Sequence, residues 1–264
     1  MTARRSLHTE TTGSFVSFGF KPPPGGVHSA RTMMLAEVAR LWTLTSPSTP
    51  ADEYRRLVIE DNILGKPTET SRVKTFRHLR DLYGLSPKLP LFPIYRELVA
   101  FDAQSLPLLS LLVAWTRDSL LRATTPVILA AAVGATVTAA DWQQSLEEAF
   151  PAHYSAISIA STARNAASTW TQAGHLRGVQ HKIRCEVQPR PAALTLALLL
   201  AQVSGIHGEP MFASSWCQLL DLSVAQARSL AFQAHREELL SLRAIGSVVE
   251  IDYPRFGRLL RDYL

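Results

Sequence analysis

At Gly174 the hydrophobic period of the chain changes, and this change limits the fold more than any other feature. Over Ser158–Ala173 the apolar residues Ile159, Ala163, Ala166 and Trp170 recur at helical spacing. Beyond the glycine, Ile183, Cys185 and Val187 alternate with Lys182, Arg184 and Glu186, which is strand spacing, and Gly178 lies in the turn before them. The sequence therefore predicts a helix that runs directly into a small β-hairpin. The order recurs downstream. Pro191–Ser204, Met211–Leu220 and a helix capped by Ser223 and running to about Leu240 precede two β-prone runs. Those runs, Leu240–Ile245 and Val248–Ile251, are joined by Gly246-Ser247, a two-residue hairpin link. Helix, helix, helix, hairpin is the order of a winged helix. Arg255–Leu264 reads as a closing helix, and no sequence repeat of the solenoid kind accompanies the recurrence.

Upstream, Ala30–Leu44 reads as a first helix, and Ser46–Pro50 as a turn. Asp52–Asn62 is a second helix, with Tyr54, Leu57 and Val58 at helical spacing and acids in its first turn. Gly65-Lys66-Pro67 ends it, and Thr68 opens a third helix running to about Tyr83, a helix-turn-helix-like arrangement. Helices follow between Pro90 and Pro126, and Asp141 caps another that runs to Phe150. Residues 1–29 read as a flexible arm. Its Pro22–Gly26 run can be neither helix nor regular strand, and its Arg4, Arg5 and Lys21 either touch phosphate or stay solvated. The expected fold class is mainly α: a helical bundle with helix-turn-helix and winged-helix modules and short β-hairpin wings. Its expected divisions are the arm 1–29, a helix-turn-helix-like domain 30–100, a helical domain with a hairpin wing 101–190, and a winged-helix-like extension 191–264.

Two stretches lack charge, Ala123–Ala140 and Pro191–Ile206. A spanning helix needs about 20 mostly apolar residues. The first stretch is interrupted by threonines, Pro126 and Gly134, and the second is shorter and starts with proline, so both read as buried helices. Arg4 and Arg5 are followed by no apolar run, which argues against a secretory signal. Only 19% of residues are charged and 47% are apolar, which excludes wholesale disorder. Cys185 and Cys217 match no metal or redox spacing, so a reducing cytoplasm is the expected setting. The net charge of +5 favours an anionic partner but is too modest to establish one, so the placement of the cations has to decide.

Three helices carry candidate contacts. In the first, Phe76, Leu79 and Tyr83 share the buried side, while Lys74, Arg77 and His78 fall opposite them. Arg80 flanks the boundary, and Arg72 sits by the first turn. Such a row lies along phosphates, or is simply a solvated basic face. In the second, Ser161, Arg164, Asn165, Ser168 and Gln172 line the polar side. Arg, Asn and Gln make paired hydrogen bonds to base edges, and hydroxyls reach phosphate oxygens. The hairpin after it adds Arg177, His181, Lys182 and Arg184, placed as a wing would be. In the third, Arg228 and Arg236 accompany Phe232 on the outer side, which favours a structural or protein-docking role. No enzyme signature is present: there is no phosphate-binding glycine loop, no metal-ligating His or Cys group, and no implied cofactor.

From about Ala30 to Leu176 the order of short motifs resembles the BrxA family of bacterial bacteriophage-exclusion (BREX) defence systems. The motifs are Ser29-Ala30-Arg31, Glu53-Tyr54-Arg55-Arg56 leading to Glu60-Asp61-Asn62-Ile63-Leu64, and Thr70-Ser71-Arg72 with Arg77–Arg80. Ser161-Thr162-Ala163-Arg164-Asn165 leading to Ala173-Gly174-His175-Leu176 completes them. The resemblance implies a mainly helical cytoplasmic protein with winged-helix character that binds double-stranded DNA alongside other BREX defence proteins. Together these readings lead to the expectation of a non-enzymatic DNA-binding accessory protein. A protein-interaction adaptor that scaffolds defence subunits without touching DNA is the alternative.

Overall fold

The computed structural model of the chain describes residues 15–245 and 248–264. Helices α1 (Leu35–Trp42), α2 (Ala51–Arg55, continued by a π-turn over Arg56–Glu60) and α3 (Glu69–Tyr83) form a first group. Thr68 caps α3 as expected: its hydroxyl accepts from the Ser71 N–H at 3.1 Å, and the Ser71 hydroxyl accepts from the Thr68 N–H at 3.2 Å. Five rings from α1 to α4 pack edge to face or stacked around Trp42, namely Trp42, Tyr54, Tyr83, Phe92 and Tyr95. Helix α1 starts at Leu35 instead of Ala30 because the residues before it are drawn onto a distant helix, as described below.

Helices α4 (Leu91–Phe101), α5 (Leu106–Arg117), α6 (Ser119–Ala123) and α7 (Thr125–Ala130) lead to strand β1 (Thr136–Val137). Then come α8 (Ala139–Ala149), α9 (Ala156–Gln172), β2 (Leu176–Arg177) and β3 (Lys182–Arg184). The three strands form an antiparallel sheet in the order β1-β3-β2, with Thr136 opposite Ile183 and Leu176 opposite Arg184. Thr138, not Asp141, caps α8. Asp141 stands three residues in and accepts from the Thr138 N–H at 2.7 Å, so both residues serve one capping box.

The last group comprises α10 (Pro191–Val203), α11 (Ser215–Gln218), α12 (Val224–Arg236), the antiparallel pair β4 (Ser241–Ile245) and β5 (Val248–Asp252), and a short α13 (Gly257–Leu260). Strand pairing runs from Ser241 opposite Asp252 to Ile245 opposite Val248, while the Gly246-Ser247 link expected between them lies outside the described residues. Helix α12 ends at Arg236 because Glu238 adopts a left-handed conformation (φ 58°), which turns Leu239 and Leu240 into the core.

Every residue from Pro191 to Ala201 on α10 is buried, packed by α4, α5, α11 and α12. At 13 residues the helix is about 20 Å long, well short of a bilayer core. Among the described residues no helix is long and apolar enough to cross a membrane. Buried apolar residues from Phe18 to Leu260 make one continuous cluster that runs through all three groups. Residues 15–29 are therefore not a free arm. Phe18, Val27 and His28 are buried, and Arg117 donates to the Gly19 carbonyl. Residues 1–14, with Arg4 and Arg5, lie outside the described residues.

Candidate nucleic-acid interface

Helix α9 buries Ile159, Ala163, Ala166 and Trp170, as its period requires. Its polar side is not wholly open, because the segment from Val27 to Leu35 runs across it. Asn165 Nδ2 donates to the His28 carbonyl at 2.8 Å, and Gln172 Oε1 accepts from the Leu35 N–H at 3.2 Å. The Ser161 hydroxyl donates to the Ser29 carbonyl at 3.4 Å, and Thr169 Oγ1 accepts from the Met33 N–H at 2.9 Å. The segment forms only a single 3-10 turn, Val27–Ser29, before α1, and short polar side chains on the helix beneath satisfy backbone groups that this turn leaves without partners. Asn165, Gln172 and Ser161, expected to read base edges or touch phosphates, are instead engaged in holding this segment. Arg164 stays exposed with no hydrogen bond or ion pair among the described residues, and Ser168 stays half-buried.

The same segment is fastened from below. Asp118 Oδ2 accepts from the His28 ring at Nδ1 (2.7 Å) and from the Val27 N–H (2.6 Å), and His28 Nε2 lies 2.8 Å from Thr169 Oγ1. Gly26 permits this approach. A Cβ there would fall 1.9 Å from Asp118 Oδ1.

On α3, Lys74, Arg77 and Arg80 are exposed. The acid beside them, Asp81, is already neutralised by Lys21 at 3.1 Å. Two expected contacts on this helix are internal. His78 is buried, and burial, followed by the fields of Arg77 and Arg31, pushes its ring below the ordinary histidine value, so it is neutral at pH 7. Arg72 is half-buried and donates through Nη1 to the Ile59 carbonyl at 2.8 Å, tying α3 to the preceding π-turn. Arg31 was not among the sequence candidates. It is exposed on the segment between α3 and α9, near enough to His78 to act on its ring alongside Lys74 and Arg77. Its place beside α3 follows from tertiary packing alone, so no local pattern could reveal it.

The β2–β3 hairpin and α9 enclose a groove of about 590 Å³. Arg164 and Ser168 line it from the helix, Gln180, His181 and Lys182 from the hairpin, Thr136 from β1 and Thr138 from the cap of α8. Among the described residues no carboxylate lines this groove. Ala160, Ala163 and Ala167 of the helix line it beside Trp142. Lys182 Nζ donates to the Gly178 carbonyl at 2.8 Å, which holds the turn, and Arg177 is exposed on β2. Arg184 departs from the expectation. The alternation places it outward, yet it is 5% exposed and paired with Asp221 through both guanidinium nitrogens. Its Nε also donates to the Ile128 carbonyl at 3.1 Å. Its neighbour Ile183, opposite Thr136 and Arg177, takes the less buried side, because the two-residue strands β1 and β2 cover so little of β3.

On α12, Phe232 is 46% exposed and Arg236 is exposed without an ion pair among the described residues. Arg228 is not free for a partner: it is paired with Glu209 and lies over the Phe212 ring. Cys217 is buried, and burial pushes its thiol up to about 11, which keeps it protonated and unreactive. Among the described residues no group of three or more His, Cys, Asp or Glu side chains is placed to hold a metal ion. No protein-family model matches the chain, and no characterised protein is significantly similar to it in sequence.

Proposed function

We propose that this chain is a non-enzymatic double-stranded DNA-binding protein of the cytoplasm, with residues 125–187 acting as a winged helix. The observation that carries the reading is the groove between α9 and the hairpin, in which Arg164, His181 and Lys182 converge and no described carboxylate intervenes. The order helix, strand, helix, helix, strand, turn, strand, with sheet order β1-β3-β2, is the one a winged helix needs. Residues 191–252 repeat the helix and hairpin part of it. Exposed cations on separate elements extend the surface: Arg31, then Lys74, Arg77 and Arg80 on α3, and Arg177 on β2. With Asn165 and Gln172 engaged internally, contacts fall chiefly on phosphates, so binding is largely independent of base sequence. The motif order that resembles the BrxA family supports an accessory role in a BREX-type defence system, beside other defence proteins.

The test is the salt dependence of binding to a short DNA duplex, followed by fluorescence anisotropy. Neutralising about five phosphates gives a slope of log affinity against log salt of about −4 to −5. A slope near zero overturns the reading. The adaptor alternative rests on the half-exposed Phe232 beside Arg236. Co-purification of defence proteins that survives nuclease treatment, with no binding to bare duplex, would favour it.

A further inference from the structure

A second cavity, of about 350 Å³, lies away from the groove, where residues 15–23 meet α5, α6, the end of α10 and α11. Aromatic rings set at steep angles build its walls. The Trp115 and Trp216 indoles stand 4.6 Å apart at 75°, and the Phe20 ring meets Trp216 at 6.2 Å and 87°. A hydrogen bond from Nε1 to Thr125 Oγ1 at 2.8 Å fixes the Trp115 ring. Pro22 and Pro23 add apolar rings to the lining. Such a lining suits a planar apolar body, and the volume falls at the small end of ligand cavities.

The polar contribution to this cavity is one-sided. Arg122 lines it, with its guanidinium carbon 6.0 Å from the Trp115 ring centre. Its Nη1 donates to the carbonyls of Trp115 (2.7 Å) and Thr116 (3.1 Å), so the cation is held in place by backbone. Among the described residues it has no carboxylate within ion-pair distance, and burial lowers its pKa against the opposing, more distant field of Asp118. Lys21 also lines the cavity but is paired with Asp81 at 3.1 Å, and no carboxylate lines the cavity among the described residues. Aromatic walls alone would also suit an ammonium ion, but the Arg122 cation at the wall repels one.

We propose that this cavity is a binding site for a planar aromatic carboxylate, its ring set among Trp115, Trp216 and Phe20 and its carboxylate on Arg122. The site is separate from the nucleic-acid groove and does not depend on how that groove is used. Its occupant bridges residues 15–23 to α11 and therefore raises the thermal stability of the chain.

The experiment is calorimetric titration of the full chain with three probes that share one ring system: 2-naphthoate, neutral 2-naphthamide and cationic 2-naphthylmethylammonium. Binding of 2-naphthoate with a Kd below about 1 mM is expected. The amide should bind at least about tenfold more weakly, and the ammonium more weakly still. Arg122→Gln should remove the preference for the carboxylate over the amide. Should that variant fail to fold, Ser204→Trp provides an independent check: Ser204 lines the cavity, and among the described residues its hydroxyl bonds only to the Leu200 carbonyl of the helix it caps. The larger ring fills the space and should abolish binding of every probe. Equal affinity for carboxylate and amide, binding that survives Ser204→Trp, or no heat from 2-naphthoate at about 1 mM would each overturn the proposal.

Discussion

Asp118 and His28, 90 positions apart, meet at 2.7 Å inside the protein with neither side chain open to water. Asp118 caps α6 through one oxygen, which accepts from the Leu120 and Leu121 N–H groups, each at 3.0 Å. Its other oxygen accepts from His28 and from the Val27 N–H. The hydrogen bonds run without a break from Met33 to Asp118: the Met33 N–H donates to Thr169 Oγ1, which lies 2.8 Å from His28 Nε2, and the other ring nitrogen, Nδ1, lies 2.7 Å from Asp118 Oδ2. This chain fastens the segment bearing Arg31 across α9. In this way a buried carboxylate positions a surface cation.

Asp118 makes the fastening pH-dependent. Burial disfavours its charge, but the His28 ring, its hydrogen bond and the Leu121 and His28 N–H groups outweigh burial and hold the carboxyl below the ordinary aspartate value. A depressed folded-state pKa stabilises the fold above the unfolded value, near 4, and that contribution is lost as pH falls through the folded one. Asp118→Asn should cost about 3–5 kcal/mol at pH 7, measured by urea unfolding. Between pH 5 and 3 the variant should lose less stability than the parent. Parallel pH profiles would refute the assignment.

Arg184 belongs to the interior, not to the DNA surface. Replacing it with Met leaves Asp221 buried without its cation, although the Val187 N–H still donates to it at 3.0 Å. The expected loss is about 3–5 kcal/mol in unfolding free energy. The salt slope of DNA binding, measured well below the unfolding temperature, should not change.

Lys74 and Arg77 behave in the opposite way. Both are exposed, so the double replacement Lys74→Gln with Arg77→Gln should leave the melting temperature within about 2 °C. It should make the slope of log affinity against log salt shallower by about 2, equally for unrelated duplex sequences. An unchanged slope would exclude α3 from the interface.

Asn165→Ala distinguishes a base-reading side chain from a structural one. Loss of its hydrogen bond to the His28 carbonyl should cost about 1–2 kcal/mol of stability. Relative affinity among duplexes of different sequence should stay constant. A change in sequence preference without a change in stability would return Asn165 to the groove contacts.

Helix α3, its Thr68 cap and the helix-to-hairpin switch at Gly174 were legible because each rests on interactions within a few residues. The buried stripe of α9 was legible for the same reason, since Ile159, Ala163, Ala166 and Trp170 repeat at the helical period. The polar stripe was misread in part. Asn165 and Gln172 look identical in sequence whether a nucleic acid or another stretch of the same chain lies against them. Residues 15–29 looked like an arm because proline and glycine signal the absence of regular structure, and that absence is compatible with tight packing, as Phe18, Val27 and His28 demonstrate.

The sequence by itself determined that most of the chain is helical, that Thr68 opens α3, which stripes turn inward, and that cations gather on α3 and around the β2–β3 hairpin. Only the tertiary structure decided which of those cations remain available: Arg77 and Arg164 point to solvent, while Arg72 and Arg184 serve the interior. The reason is the range of the forces involved. Capping and periodicity act over about one helical turn, whereas the fate of a charged side chain depends on which distant carbonyl or carboxylate the folded chain brings within about 3 Å of it.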